Sequence, residues 1–106
     1  MRYKIKMGKP FIKRMDNLGK LFHLSNADTS DARETIIDAI ANLADGKELP
    51  EGYNDRILEK EPWIGYHEFH VFSDLLVVYY KVDRKNRIRM ITITDHEELT
   101  IGKLPD

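Results

Sequence analysis

Three of the four histidines, His67, His70 and His96, lie in the C-terminal half of the chain, with Asp74 shortly after His70 and the guanidinium groups of Arg56 and Arg89 within reach of the same region. Imidazole gains or loses a proton near neutral pH, and guanidinium stays charged and matches phosphate geometry. A side-chain set of this kind can take the proton from a ribose 2′-hydroxyl, stabilise the crowded phosphate and protonate the leaving 5′-oxygen, which is the inventory of a metal-free ribonuclease. His67 and His70 are an odd number of positions apart, so on one strand they point to opposite faces and cannot share a metal. The His, Asp and His spacing matches no strong metal motif, so neither a metal site nor a cofactor is expected. Each residue also has an ordinary reading. Ser73-Asp74 between two strands is common turn chemistry, His96 sits in a polar terminal turn, and His23, near the end of the first helix, reads as structural or surface.

These groups must be positioned by a strand-rich segment. Residues 65–72 (GYHEFHVF), 75–81 (LLVVYYK) and 87–94 (RIRMITIT) are rich in aromatic and β-branched residues and are separated by turn-forming residues 73–74 and 83–86, which predicts an antiparallel meander. Tyr66, Glu68 and His70 share one face of the first of these strands. That face is polar enough to stand open, so Phe69 and Val71 should face the helices and leave His67 at the core edge. Tyr3 to Met7 alternates basic and apolar residues and predicts a short strand in the same sheet. Phe11, Met15, Leu18 and Phe22 form one helical stripe, and Ile36, Ile40 and Leu43 form another. A capping box of Asp31 and Glu34 would start the second helix, and Asp45-Gly46 would end it after Ala44. The expectation is an α+β fold: an N-terminal strand, a two-helix hairpin packed on one face, and the meander, all in a single domain spanning residues 1–106. Between Lys47 and Trp63 the periodicity lapses, leaving a long loop that contains Arg56.

Net charge narrows the function classes. The 17 Lys and Arg residues against 18 Asp and Glu leave no global basic field, so any contact with nucleic acid depends on local patches. Two exist. Residues 1–20 carry Arg2, Lys4, Lys6, Lys9, Lys13, Arg14 and Lys20 against Asp16 alone, and residues 81–89 carry Lys81, Arg84, Lys85, Arg87 and Arg89 against Asp83. For charge runs of this kind the solvated faces of a strand, a helix and a turn are the more common explanation. The absence of cysteine excludes thiolate catalysis and a disulfide scaffold, and a cytoplasmic location is expected. No apolar run approaches the ~18 residues of a membrane span, so no membrane association is expected.

The runs Leu49-Pro50-Glu51-Gly52-Tyr53-Asn54-Asp55-Arg56, Trp63-Ile64-Gly65-Tyr66-His67-Glu68-Phe69-His70-Val71, Ser73-Asp74-Leu75-Leu76-Val77-Val78-Tyr79-Tyr80-Lys81 and Asp95-His96-Glu97-Glu98-Leu99 resemble the YafQ branch of the RelE toxin superfamily. The resemblance implies a RelE-like, microbial-ribonuclease-like fold and a toxin of a bacterial type II toxin-antitoxin pair. It further implies a ribosome-dependent mRNA endonuclease, inhibited by a cognate antitoxin that wraps it and reaching operator DNA only through that antitoxin. Carried over by position, it puts His70 and His96 at the proton-transferring histidines, Asp74 at the aspartate that orients an imidazole or acts as base, and Lys81 at an RNA-backbone contact. The chain departs from the family pattern at four places. Arg56 stands where a histidine is expected, Leu75 for a tryptophan, Thr92 for an arginine and Thr100 for an aromatic residue. Arg56, with Arg89 or Arg87, would then carry the phosphate charge. The departures also define a second reading, a toxin-like protein that binds its antitoxin and acts in complex regulation with weak cleavage or none.

Overall fold

The computed structural model describes residues 2–59, 61, 63–72, 74–82 and 86–95. The alternating segment forms strand β1 (Lys4–Met7), after which Gly8 and Pro10 lead into helix α1 (Lys9–Asp16). Proline sits in the first turn, where its missing N–H removes no helical bond. The first predicted helix is broken. Asn17 leaves helical geometry at φ −112° and donates its side-chain N–H to the Lys13 carbonyl at 2.9 Å, separating α1 from the short helix α2 (Leu18–Leu21). The apolar stripe survives the break, because Phe11 and Leu18 are buried and Met15 and Phe22 pack against the core.

Helix α3 (Asn26–Ala44) begins earlier than the Asp31 capping box would place it. Ser25 is the N-cap, its Oγ accepting from the Asp28 N–H at 3.0 Å, so Asp31 lies inside the helix. A hydroxyl cap six residues upstream satisfies one of the orphan donors, and the helix extends back to meet it. At the other end Gly46, at φ +76°, stops the helix as its sequence predicts. α2 and α3 pack closely at Gly19, where an added Cβ would come 2.5 Å from Thr29 Oγ1.

Strands β3 (His67–Val71), β4 (Leu75–Val82) and β5 (Arg87–Thr94) form the expected meander. The 47–63 loop is less irregular than its composition predicts. It holds a 3₁₀ turn at Glu51–Tyr53 and a two-residue strand, β2 (Arg56–Ile57), that pairs antiparallel with Glu68 and His67. The sheet therefore has five strands in the order β1-β5-β4-β3-β2, with β1 parallel to β5 and every other pairing antiparallel.

Phe69, Val71, Leu75, Val77, Ile88, Met90 and Ile93 face the helices and join Phe11, Leu18, Ala32, Ile36, Ala39 and Leu43 in one core. This is the face expected from Phe69 and Val71. His67 lies half-buried at its edge, stacked on Tyr79 with ring centroids 4.8 Å apart. The opposite face is not open, contrary to the expectation from its polar residues. Glu68, Leu76, Val78 and Thr92 at its centre have no exposed surface. Beside this face the Leu58 N–H donates to the Tyr66 carbonyl, and the buried Trp63 packs edge-on to Tyr66.

Candidate active site

Strand pairing decides which of the candidate residues meet. Glu68 and His70 are two positions apart on β3 and share the face turned away from the helices. Arg56, on the edge strand β2, is directly opposite Glu68, and its Nε donates to Glu68 Oε1 at 2.5 Å. His70 is therefore the diagonal neighbour of Arg56, at a backbone separation of roughly 7–8 Å for regular pairing. Asn54, Asp55, Arg56 and His70 line one depression of about 440 Å³. Asp74 lies in the β3–β4 turn, directly before β4 begins at Leu75. The structure thus brings Arg56 and His70 to one depression, and Asp74 is not among the residues that line it.

Glu68 is a member of the site that spacing alone did not single out. Its side chain is fully buried while the Arg56 side chain is 62% exposed, so a charge withdrawn from water is held by a partner that still reaches solvent. The pairing fixes the guanidinium at the rim of the depression. Its signal in the sequence was the shared parity of Glu68 and His70, but the partner lies on a strand too short to be read from periodicity.

A second tether comes from the helix side. Tyr79 reaches under β3 and donates its hydroxyl to Asp55, with Oδ1 at 2.7 Å and Oδ2 at 2.8 Å. Burial, reinforced by that hydrogen bond and by the negative charge of Asp55, pushes the Tyr79 hydroxyl well above the ordinary tyrosine range. It therefore stays protonated and keeps donating. Asn54, at φ +49°, ends the 3₁₀ turn in the left-handed region, so that Asp55 and Arg56 diverge to the two tethers.

The remaining cations lie elsewhere. A register shift between Val78 and Tyr79 moves their β5 partners from Thr92 to Met90, an irregularity of the β-bulge type. Strict alternation would have put Arg89 with Ile93 under the helices. The shift instead turns Arg89 and Arg87 to the His70 face, where Arg89 pairs with Tyr80 and Arg87 with the next residues toward the far end. From the His70 and Leu76 row to the Tyr80 and Arg89 row is four residues along β4 and two strands across, roughly 16 Å. Arg89 thus shares the face of Thr92 but stands well away from His70. Lys81 is on the helix side, its Nζ 4.9 Å from the centre of the Tyr3 ring, and the structure does not bring it to the depression. His23 is exposed near the end of α2. His96, Arg84 and Lys85 lie outside the described residues. Among the described residues no group of three or more His, Asp or Glu side chains converges to hold a metal ion, and no helix is long and apolar enough to cross a membrane.

Comparison with known proteins gives this geometry a context. YafQ from E. coli strain BL21(DE3) has a similar fold, with a TM-score of 0.69 at 21% identity over 92% of this chain and 98% of that one. The E. coli DinJ-YafQ toxin-antitoxin complex gives a TM-score of 0.68 at 21% identity, covering 93% and 98% of the two chains. A metal-bound toxin from Helicobacter pylori gives 0.69 at 26% identity, covering 93% and 99%. No curated protein sequence matches significantly. The family model for YafQ, the bacterial toxin of type II toxin-antitoxin systems, matches residues 3–101. A match over almost the whole length, on a sheet that carries the candidate histidine and its neighbours in register, means that this chain belongs to the YafQ toxin family.

Proposed function

We propose that this toxin is a ribosome-dependent mRNA endonuclease that cleaves by acid-base catalysis through attack of a ribose 2′-hydroxyl. The observation that supports the reading best is the depression lined by both His70 and Arg56, with Asp74 in the turn that follows β3. In this mechanism Arg56, held by Glu68, takes the charge of the pentacoordinate phosphate. His70 and His96 are the proton-transfer pair, one removing the 2′-hydroxyl proton and the other protonating the departing 5′-oxygen. Asp74 orients an imidazole or accepts the proton itself. Arginine stays protonated at neutral pH, so Arg56 stabilises charge and cannot act as the base. Placement of the mRNA by the ribosome supplies the attack geometry, which can account for a large share of the barrier.

Residues 1–106 act as one domain in this reading, in the cytoplasm, where translated mRNA is found. A cognate antitoxin is the inhibitory partner, an assignment supported by the E. coli DinJ-YafQ complex, and operator DNA is reached only through it.

The test is induced expression in a bacterial host without antitoxin, with growth followed and transcripts mapped. Growth arrest with cuts inside translated codons is expected, and both should vanish in His70→Ala, Asp74→Ala and His96→Ala while antitoxin binding is retained. Soluble, folded protein that neither arrests growth nor cuts transcripts would overturn the nuclease reading in favour of an antitoxin-binding protein without cleavage. If His96→Ala and Asp74→Ala stay as toxic as the parent, the site assignment is wrong.

A further inference from the structure

The face that carries His70 continues to the opposite edge of the sheet, where its chemistry changes. One row across the strands reads Tyr66, Tyr80, Arg89 and Lys6, and the Arg87 and Lys4 pair lies beyond it. The Tyr66 and Tyr80 rings are 5.1 Å apart and tilted by 54°, and Tyr80 remains 39% exposed. Lys4, Lys6 and Arg89 are exposed, and Arg87 is half-buried.

Two observations show that this edge is not an ordinary solvated surface. Lys4 is opposite Arg87, and Lys6 is opposite Arg89, so like charges face each other directly in consecutive pairs, an arrangement that opposes sheet formation. Among the described residues none of these four side chains has a carboxylate partner. Between them Arg2, Lys4, Asn86 and Arg87 line a cavity of about 440 Å³ in which three of the four side chains are cationic. Independently, the bulge that interrupts the β4–β5 register is what brings Arg89 and Arg87 to this face beside Tyr80, at the cost of a regular ladder.

We infer that the Tyr80, Arg89 and Lys6 row, continued by Arg87 and Lys4, is a binding ledge for single-stranded RNA flanking the cleaved bond, with a base stacked on Tyr80 and phosphates on the four cations. The inference rests on the endonuclease reading for the identity of the strand, and it names a subsite separate from the His70 depression. An exposed ring on a sheet face stacks an unpaired base, which a duplex does not offer. The cations repeat at about 6.6 Å along the strands and about 4.8 Å across them, a grid suited to a phosphate backbone. At roughly 16 Å from His70, Arg89 is too far to touch the reacting phosphate and acts on the strand leading to or from it.

The experiment uses a fluorescent 12-nucleotide single-stranded RNA made uncleavable by 2′-O-methyl groups and follows its anisotropy at several salt concentrations with the purified full chain. Tyr80→Ala should weaken binding about tenfold, the size of one lost base-aromatic stack. Arg89→Gln and Lys6→Gln should each reduce the slope of log affinity against log salt by about 0.7, the value for one lost phosphate contact on a single strand. Tyr80→Phe should bind like the parent, since the ring remains. If the parent binds the RNA and the three variants match it in affinity and slope, the ledge is wrong and the endonuclease reading stands. If polyglutamate competes as well as RNA and Tyr80→Ala has no effect, the surface takes an acidic protein segment and the RNA ledge is again wrong. A parent that neither binds RNA nor cuts transcripts in the growth experiment overturns both readings together.

Discussion

The two ends of the face opposite the helices handle charge in opposite ways. At the β2–β3 end, Glu68 is withdrawn completely from water and held by Arg56, a cation on the neighbouring strand whose own side chain remains largely exposed. At the β1–β5 end, four cations face one another in register, and among the described residues none of them has a carboxylate partner. A buried ion left unpaired costs far more than an exposed one, so the first end is locked by its own internal pairing. At the second, the like charges repel across the β1–β5 pairing, and a ligand of opposite charge would relieve that repulsion. One sheet thus carries an internally paired ion at one edge and facing like charges at the other.

Charge removal should therefore have opposite signs at the two ends. Arg56→Ala leaves the Glu68 carboxylate buried without its donor and should lower stability by about 2 kcal/mol, read from the urea midpoint at constant m-value. The same variant should lose cleavage, and a cleavage rate equal to the parent's would remove Arg56 from the mechanism. Next in size is Tyr79→Phe, which deletes the hydroxyl bonded to Asp55 and should cost about 1 kcal/mol at pH 7.

That variant also carries a pH signature. The native Tyr79 hydroxyl is raised above its ordinary range and keeps its proton, whereas in the unfolded chain it ionises near its ordinary value of 10.0. The native state then binds more protons, so stability falls as pH rises past that value. Between about pH 10 and pH 11.5 the parent should lose stability more steeply than Tyr79→Phe, whose curve keeps only the contribution of the other tyrosines. Parallel curves would mean that the Tyr79 hydroxyl is neither buried nor bonded to Asp55 in solution.

The smallest expected effect sharpens the contrast most. Lys6→Gln removes one like-charge contact with Arg89 and should raise stability by a few tenths of a kcal/mol at low salt, an increment that shrinks as salt screens the pair. A destabilised Lys6→Gln would mean that the cations at this edge are compensated within the chain, and the difference between the two ends would disappear.

Much of the architecture was legible in local pattern. The aromatic and β-branched content of residues 65–72, 75–81 and 87–94 marked the meander, and the turn residues between them marked its hairpins. Strand parity put His70 and Glu68 on one face and His67 at the core edge. What misled was any signal that depended on a competing neighbour. The continuous stripe from Phe11 to Phe22 hid the break at Asn17, because apolar spacing is indifferent to a side chain that bonds back to Lys13. Asp31 and Glu34 have the spacing of a helix start, but the Ser25 hydroxyl caps the helix further upstream. The polar residues of β3 suggest an open face, but polarity on a strand does not decide burial, and Glu68 at its centre has no exposed surface.

The sequence by itself determined the elements and the chemistry available, since periodicity, caps and side-chain type are local properties: a three-strand meander, an apolar helical face, an imidazole at His70 and a guanidinium at Arg56. Tertiary structure alone decided which of these meet. β2 has two residues and no period of its own, so it exists only through pairing with β3, and that pairing is what sets Arg56 on Glu68 beside His70. The bulge in β5 falls at Met90-Ile91, where the alternation of residues 87–94 doubles an apolar residue and changes phase, but only the pairing with β4 decides that Arg89 turns out from under the helices. Pairing partners are settled by the balance of packing and hydrogen bonding across strands distant in sequence, which no window along the chain contains.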